Sequence, residues 1–129
     1  MAVAASLAIA VAIPIALRRG DAVLGASPAL VQRVGEVADG RVVLAPAPLS
    51  ESLAVAGVRV WMSNPLDAFS KVDQAAYLDF LAGKDARRAI EQSDVVVVQS
   101  GSAAENVITS RFALAPQECG DGWTCYVRS

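Results

Sequence analysis

The feature that most constrains the fold is the first segment, residues 1–17, which reads MAVAASLAIAVAIPIAL and carries no charge. As an α-helix it would span about 25 Å, slightly less than the roughly 30 Å hydrocarbon core of a bilayer. Pro14 is compatible with such a helix, because neighbouring helices can satisfy the carbonyl group that it leaves unpaired. We therefore expect residues 1–19 to form a membrane helix. The alternatives are a secretory signal peptide and a leader that is buried or disordered.

The rest of the chain, residues 20–129, has the size and composition of one small domain. About half of these residues are apolar, which is ordinary for a globular domain with a single hydrophobic core. The whole chain has a net charge of −2 and no histidine. A net charge of this sign provides no basic surface for binding nucleic acid. The lack of histidine excludes Ser-His and Cys-His nucleophile pairs. We expect no metal and no cofactor.

Strand-like and helix-like segments alternate along this domain. Residues 95–98 are four consecutive valines, which is typical of a strand buried on both faces of a parallel sheet. Residues 41–45 and 58–62 predict two further parallel strands, and residues 112–114 and 123–127 predict a closing antiparallel pair. The pattern predicts a small three-layer α/β domain with a short parallel sheet extended by a C-terminal β-hairpin.

The helix starts are marked by side chains that can cap free N–H groups. Ser27, Ser70 and Ser102 each stand directly before a helical pattern of apolar residues. Asp85 is predicted to cap a further short helix. Leu81 is predicted to lie on the buried face of the helix that follows Ser70.

The two cysteines stand in the predicted hairpin. If its loop has three residues with Gly122 in a left-handed conformation, Gly120 faces Thr124 and Cys119 lies directly opposite Cys125. Residues paired in this way have Cα atoms about 4.5 to 5.5 Å apart, which a disulfide can bridge. The alternative is a pair of reduced thiols in the cytosol.

Two features predict opposite sides of the membrane for the domain. One is the pair of basic residues after the apolar segment, and the other is the pair of cysteines. Arg18 and Arg19 follow the apolar segment, and the positive-inside tendency would keep the domain in the cytoplasm. A disulfide persists mainly in oxidising compartments and therefore indicates an extracytoplasmic domain.

Polar residues after two of the predicted strands are candidates for binding a small anion. The turn after the valine-rich strand offers backbone N–H groups at the start of a helix, where phosphates and carboxylates bind. The loop after the second strand and the helix start that follows add carboxylate and amide groups. Turn and capping roles account for the same residues equally well. The six weak binding candidates are Asn64, Asp67, Asp73, Gln74, Gly101 and Ser102.

Two stretches of the domain carry a family resemblance. Residues 60–69, VWMSNPLDAF, and residues 73–83, DQAAYLDFLAG, resemble the C-terminal soluble region of a group of bacterial multipass membrane proteins. These are related to dolichyl-phosphate-mannose-dependent mannosyltransferases. The resemblance implies a last membrane helix, a basic turn and an extracytoplasmic α/β domain that ends in aromatic-Val-Arg, here residues 126–128. The acidic loop on which that family places its chemistry has no match in this chain, so no catalytic residue is implied.

The sequence therefore predicts a non-catalytic extracytoplasmic accessory domain of a glycosyltransferase-like membrane protein. Its expected partners are membrane lipid and other transmembrane helices, and not nucleic acid. The alternative function is a small anion- or sugar-phosphate-binding module, or an enzyme, that uses the Gly101-Ser102 turn and the loop with Asn64 and Asp67. The alternative location of the domain is the cytoplasmic face of the membrane.

Overall fold

A computed structural model describes residues 26–63, 68–120 and 122–129. The elements in chain order are α1 (Pro28–Ala38), β1 (Val43–Leu44), α2 (Leu49–Val55), α3 (Lys71–Leu81), α4 (Arg87–Glu91), β2 (Val95–Gln99), α5 (Ala103–Arg111), β3 (Ala115–Gly120) and β4 (Trp123–Val127). The predicted α/β class is confirmed. The predicted membrane helix at residues 1–19 lies outside the described residues, and no helix within them is long and apolar enough to cross a bilayer.

The strands form one mixed sheet in the order β1-β2-β4-β3. β1 and β2 are parallel, whereas β4 runs antiparallel to both of its neighbours. The predicted C-terminal hairpin is present, but the sheet is mixed and its parallel part is the pair of β1 and β2. The prediction of a full strand at residues 58–62 is wrong. In this stretch only Val60 pairs with the sheet, through an isolated parallel bridge to Val43. β1 itself is only two residues long before Pro46, which has no N–H group to continue the ladder.

Helices cover both faces of the sheet. Val95 and Val97 of β2 pack into one cluster with α1 and α2, and Val96 and Val98 pack into a second cluster with α3, α4 and α5. All four valines are at most 1% exposed. Burial on both faces explains the unbroken run of valines and establishes the predicted three layers.

The hairpin differs from its predicted register. Glu118 pairs with Thr124 and Gly120 pairs with Trp123, so Cys119 is an extra residue in β3. The loop has two residues instead of three, and Gly120 does not face Thr124. Such a bulge arises where two residues of one strand oppose one residue of its partner.

The disulfide is present in spite of this register. Cys119 and Cys125 are bonded, their Cα atoms are 5.8 Å apart, and both residues are buried. Gly122 has a φ of 79°, as predicted for the loop. The strand preceding the loop begins at Ala115 and not at Phe112, which instead forms the C-cap of α5.

The three predicted serine caps are confirmed. The side chains of Ser27, Ser70 and Ser102 accept hydrogen bonds from the backbone N–H three residues further on, at 3.1, 3.1 and 3.2 Å. The predicted cap at Asp85 is wrong, because Ala86 is the N-cap of α4 and no side chain caps it. The carboxylate of Asp85 is instead engaged by arginine side chains.

Candidate functional site

The connections leave β1 and β2 toward opposite faces of the sheet, which defines a crevice at the carboxyl ends of these two strands. The chain after β1 enters α2 on one face, and the chain after β2 enters α5 on the other. Two small concavities of about 150 and 180 Å³ lie here, and Pro46 and Gln99 line both of them. Open α/β sheets collect ligands at this place.

The crevice is narrow because α3 and α5 approach each other closely. A Cβ atom placed on Gly83 would lie 2.5 Å from the Cβ atom of Ala103, and Gly83 has a φ of 75°. Only glycine fits this contact without a shift of the backbone. Apolar groups of Phe80, Val98 and Ala103 line the concavity between these two helices, and the polar side chains in its lining are Gln99 and Ser102.

The backbone N–H group of the turn before α5 is already bonded to a carboxylate of the same chain, that of Glu105. The N–H group of Gly101 donates to Glu105 Oε1 at 2.7 Å, and Ser102 Oγ accepts from the Glu105 N–H. The Tyr126 hydroxyl donates to Glu105 Oε2 at 2.8 Å. The bond from Gly101, and then that from Tyr126, hold the pKa of Glu105 below its usual value. Gly101 and Ser102 are thus brought together around an intramolecular anion.

The pKa of Tyr126 is shifted in the opposite direction to that of Glu105. Burial, and next the neighbouring Glu105 carboxylate, raise the pKa of Tyr126 to about 12. At neutral pH the phenol is therefore protonated and Glu105 is ionised, so the pair holds one fixed proton arrangement. Ser100 and Thr124 share a further hydrogen bond of 2.8 Å beside it. This arrangement fastens β4 to α5.

Asp73 and Gln74 lie in the first turn of α3 and have partners within the domain. Arg88 Nε donates to Asp73 Oδ1 at 2.6 Å, and this bond is the main cause of the lowered pKa of Asp73. Gln74 Nε2 donates to the Phe69 carbonyl oxygen at 2.8 Å. Among the described residues, no hydrogen bond or ion pair joins Asp73 or Gln74 to the turn at the start of α5.

The remaining two binding candidates, Asn64 and Asp67, lie outside the described residues. The role of all six candidates in binding stays a prediction. Within the described ranges, no group of His, Cys, Asp or Glu side chains is arranged to hold a metal ion.

Sequence reasoning missed a buried polar pair beside the crevice. The Tyr77 hydroxyl donates to the Ala45 carbonyl oxygen at 2.7 Å and lies 3.2 Å from Ser50 Oγ. Both side chains are almost fully buried, and burial raises the pKa of Tyr77. These bonds fix α3 to the carboxyl end of β1. Nothing in the sequence distinguished Ser50 from its polar neighbours Glu51 and Ser52 in α2.

Sequence reasoning also missed an exposed apolar surface on α3. Leu81, predicted to be buried, is 42% exposed, and Val72 and Leu78 are 61% and 54% exposed. The helix buries Ala76, Tyr77 and Phe80 on the opposite side. The exposed residues together form what we call the outer face of α3: Val72, Ala75, Leu78, Leu81 and Ala82.

A further concavity of about 820 Å³ lies between α1 and the β3-β4 hairpin. Ser27 and Trp123 are among its lining residues, so the first described residues lie beside the hairpin. Comparison of the chain with family models, with curated proteins and with solved structures finds no match.

Proposed function

We propose that the chain is a non-catalytic accessory domain, tethered to a membrane through residues 1–19 and located outside the cytoplasm. The observation that carries this proposal is the outer face of α3. A helix on the surface of an isolated domain is normally polar on its outer side, whereas the exposed side chains of α3 are apolar except for Lys71. A contiguous exposed apolar surface marks a contact with another component.

The partners of the polar candidates support a role without chemistry. Asp73, Gln74 and Gly101 are all engaged by groups of the same domain, as is the capping hydroxyl of Ser102. These bonds account for the residues as parts of the scaffold.

The location outside the cytoplasm is supported by the bond between Cys119 and Cys125, because such bonds persist mainly in oxidising compartments. The uncharged residues 1–17 support the tether. The association with a glycosyltransferase-like membrane protein is supported by the resemblance of residues 60–69 and 73–83.

Membrane fractionation of the full chain tests this proposal. Wild type should remain in bacterial membranes washed with alkaline carbonate. Ile9→Arg places a charge in the centre of the apolar segment, which costs about 2.5 to 3.5 kcal/mol in membrane insertion, and should move the chain to the supernatant. Ser6→Ala is the matched control and should not. Wild type in the supernatant, or turnover of a lipid-linked sugar by the purified full chain, would contradict the proposal.

A second candidate function is the binding of a sugar phosphate in the crevice between β1 and β2, favoured by its position at the carboxyl ends of the strands. The ionised Glu105 beside Gly101 opposes the binding of an anion there. Calorimetry with sugar phosphates tests this function, with Ala103→Arg as the blocking variant. A heat of binding in wild type that is lost in the variant would establish it.

A further inference from the structure

We propose that the outer face of α3 lies on the surface of a lipid bilayer, with Lys71 and Lys84 bound to anionic lipid headgroups. This inference rests on the proposed membrane tether and names the component that the exposed face contacts. It commits to lipid and not to a protein partner.

The length of α3 and its fixed attachment to the core suit a position at a bilayer interface. α3 has 11 residues and is therefore about 16 Å long. A helix that lies in the interface plane buries its apolar side about 5 to 10 Å at the boundary of headgroups and acyl chains. Tyr77 and Phe80 anchor the inner side of α3 in the core, so its outer side chains are presented on a fixed scaffold.

The charge around this face is complementary to anionic headgroups. Lys71 and Lys84 are the two lysines of the chain; one begins α3 and the other lies three residues beyond its end. Both are exposed, and neither forms an ion pair with any described residue. A lysine in this position can lay its alkyl chain on apolar surface while its ammonium group reaches the headgroups.

Two of the three acidic side chains of the described residues near this face are paired with arginine. The carboxylate of Asp73 is paired with Arg88, and the carboxylate of Asp85 is paired with Arg111 at 3.1 Å. Asp79 is half-buried and lies one turn after Ala75 on the same side of α3, so it brings one negative charge to the face. Among the described residues, Lys71 and Lys84 outnumber the one carboxylate here that has no arginine partner, and this positive balance favours anionic headgroups over an apolar partner helix.

The start of α1 and α3 lie toward the same end of the sheet, although they pack on opposite faces of it. Trp123, which shares a groove with Ser27, pairs with Gln99 at the carboxyl end of β2. α3 is fixed to the carboxyl end of β1 by the bond from Tyr77 to Ala45. The described chain therefore begins toward the same end of the sheet as α3, on the opposite face.

The connection to the apolar segment is short. Residues 18–25 number eight and reach at most about 29 Å when fully extended. With residues 1–17 in a membrane, this reach keeps the start of α1 near the bilayer. Because α3 lies toward the same end of the sheet as the start of α1, its outer face is within reach of the lipid surface.

Depth measurements on the full chain test the proposal. A spin label is attached to Leu78→Cys without reductant, so that the native disulfide is retained, and the chain is placed in vesicles of phosphatidylethanolamine and phosphatidylglycerol. Val55→Cys is the matched control, because Val55 is 90% exposed on α2 at the opposite face of the sheet. We expect the label at residue 78 to lose collisions with a water-soluble nickel complex and to gain collisions with oxygen, and the label at residue 55 to remain aqueous.

A label at residue 78 as aqueous as that at residue 55, in chains that stay with the vesicles, would overturn lipid docking and leave the tether intact. Failure of the chain to associate with vesicles would overturn the proposed function itself. A label at residue 78 that is shielded in native membranes but aqueous in pure lipid would also overturn lipid docking, in favour of a protein partner.

The charge component is tested separately with Lys71→Glu combined with Lys84→Glu. We expect the label at residue 78 to lose its shielding in this variant, while circular dichroism and the thermal unfolding midpoint show a folded domain. Unchanged shielding would overturn the role of the lysines.

Discussion

The Tyr126 hydroxyl donates a 2.8 Å hydrogen bond to Glu105 Oε2 and so fastens the last strand to the first turn of α5. The other carboxylate oxygen of Glu105 accepts from the Gly101 N–H at 2.7 Å. The carboxylate of Glu105 therefore bonds both to the turn after β2 and to Tyr126 of β4. This explains why the turn, which resembles an anion site in sequence, is satisfied within the domain.

Tyr126→Phe removes one donor from Glu105 and should raise the pKa of that carboxyl group. We expect the variant to lose about 1 kcal/mol of unfolding free energy, the ordinary value of one partly exposed hydrogen bond. NMR titration of the Glu105 side chain and urea unfolding measure the two effects. A Glu105 pKa equal to that of wild type would mean that the bond is not formed in solution.

Stability in acid should depend on Glu105. Its pKa is lower in the folded chain than the ordinary value of 4.5, so its contribution is present above that pH and is lost as the pH falls through the folded pKa. Wild type should be more stable than Glu105→Gln at neutral pH, and the difference should shrink below pH 4.5. Urea unfolding across this range measures it, and a constant difference would contradict the expectation.

Removal of the disulfide should destabilise the hairpin. Cys119 and Cys125 are six residues apart, and closure of so short a loop contributes about 2 kcal/mol through the entropy of the unfolded chain. The double variant Cys119→Ala with Cys125→Ala should lose about this amount in urea unfolding. Wild type in reductant should lose a similar amount, and equal stability with and without reductant would refute the contribution.

The buried hydroxyl of Tyr77 should matter more than that of Ser50. Tyr77→Phe leaves the buried Ala45 carbonyl oxygen without its donor and the Ser50 hydroxyl without its acceptor, which costs about 1 to 3 kcal/mol. Ser50→Ala retains the bond from Tyr77 to Ala45 and should cost less. Thermal unfolding of both variants compares them, and a larger loss for Ser50→Ala would show that Ser50 is the main partner.

Local patterns predicted those elements whose cause lies within a few residues. The valine run at residues 95–98 predicts a doubly buried strand, and the serines before α1, α3 and α5 predict caps, because both depend on nearby backbone and burial. The fold class followed from the alternation of these elements.

Features that depend on distant contacts were not predictable. The bulge at Cys119 changes the hairpin register without changing the alternating pattern around it. Leu81 continues the apolar pattern of α3, yet the sheet offers no surface on that side of the helix. The occupation of the Gly101 turn by Glu105 depends on where β4 places Tyr126.

Thiol labelling of the chain in its native membranes tests the central claim, a domain tethered to a membrane and exposed outside the cytoplasm. Membranes are washed with alkaline carbonate, denatured without reductant, and treated with a maleimide that adds mass. The account predicts that the chain stays in the washed membranes and gains no label until reductant is added, because Cys119 and Cys125 are bonded. Full labelling of both cysteines without reductant would contradict it.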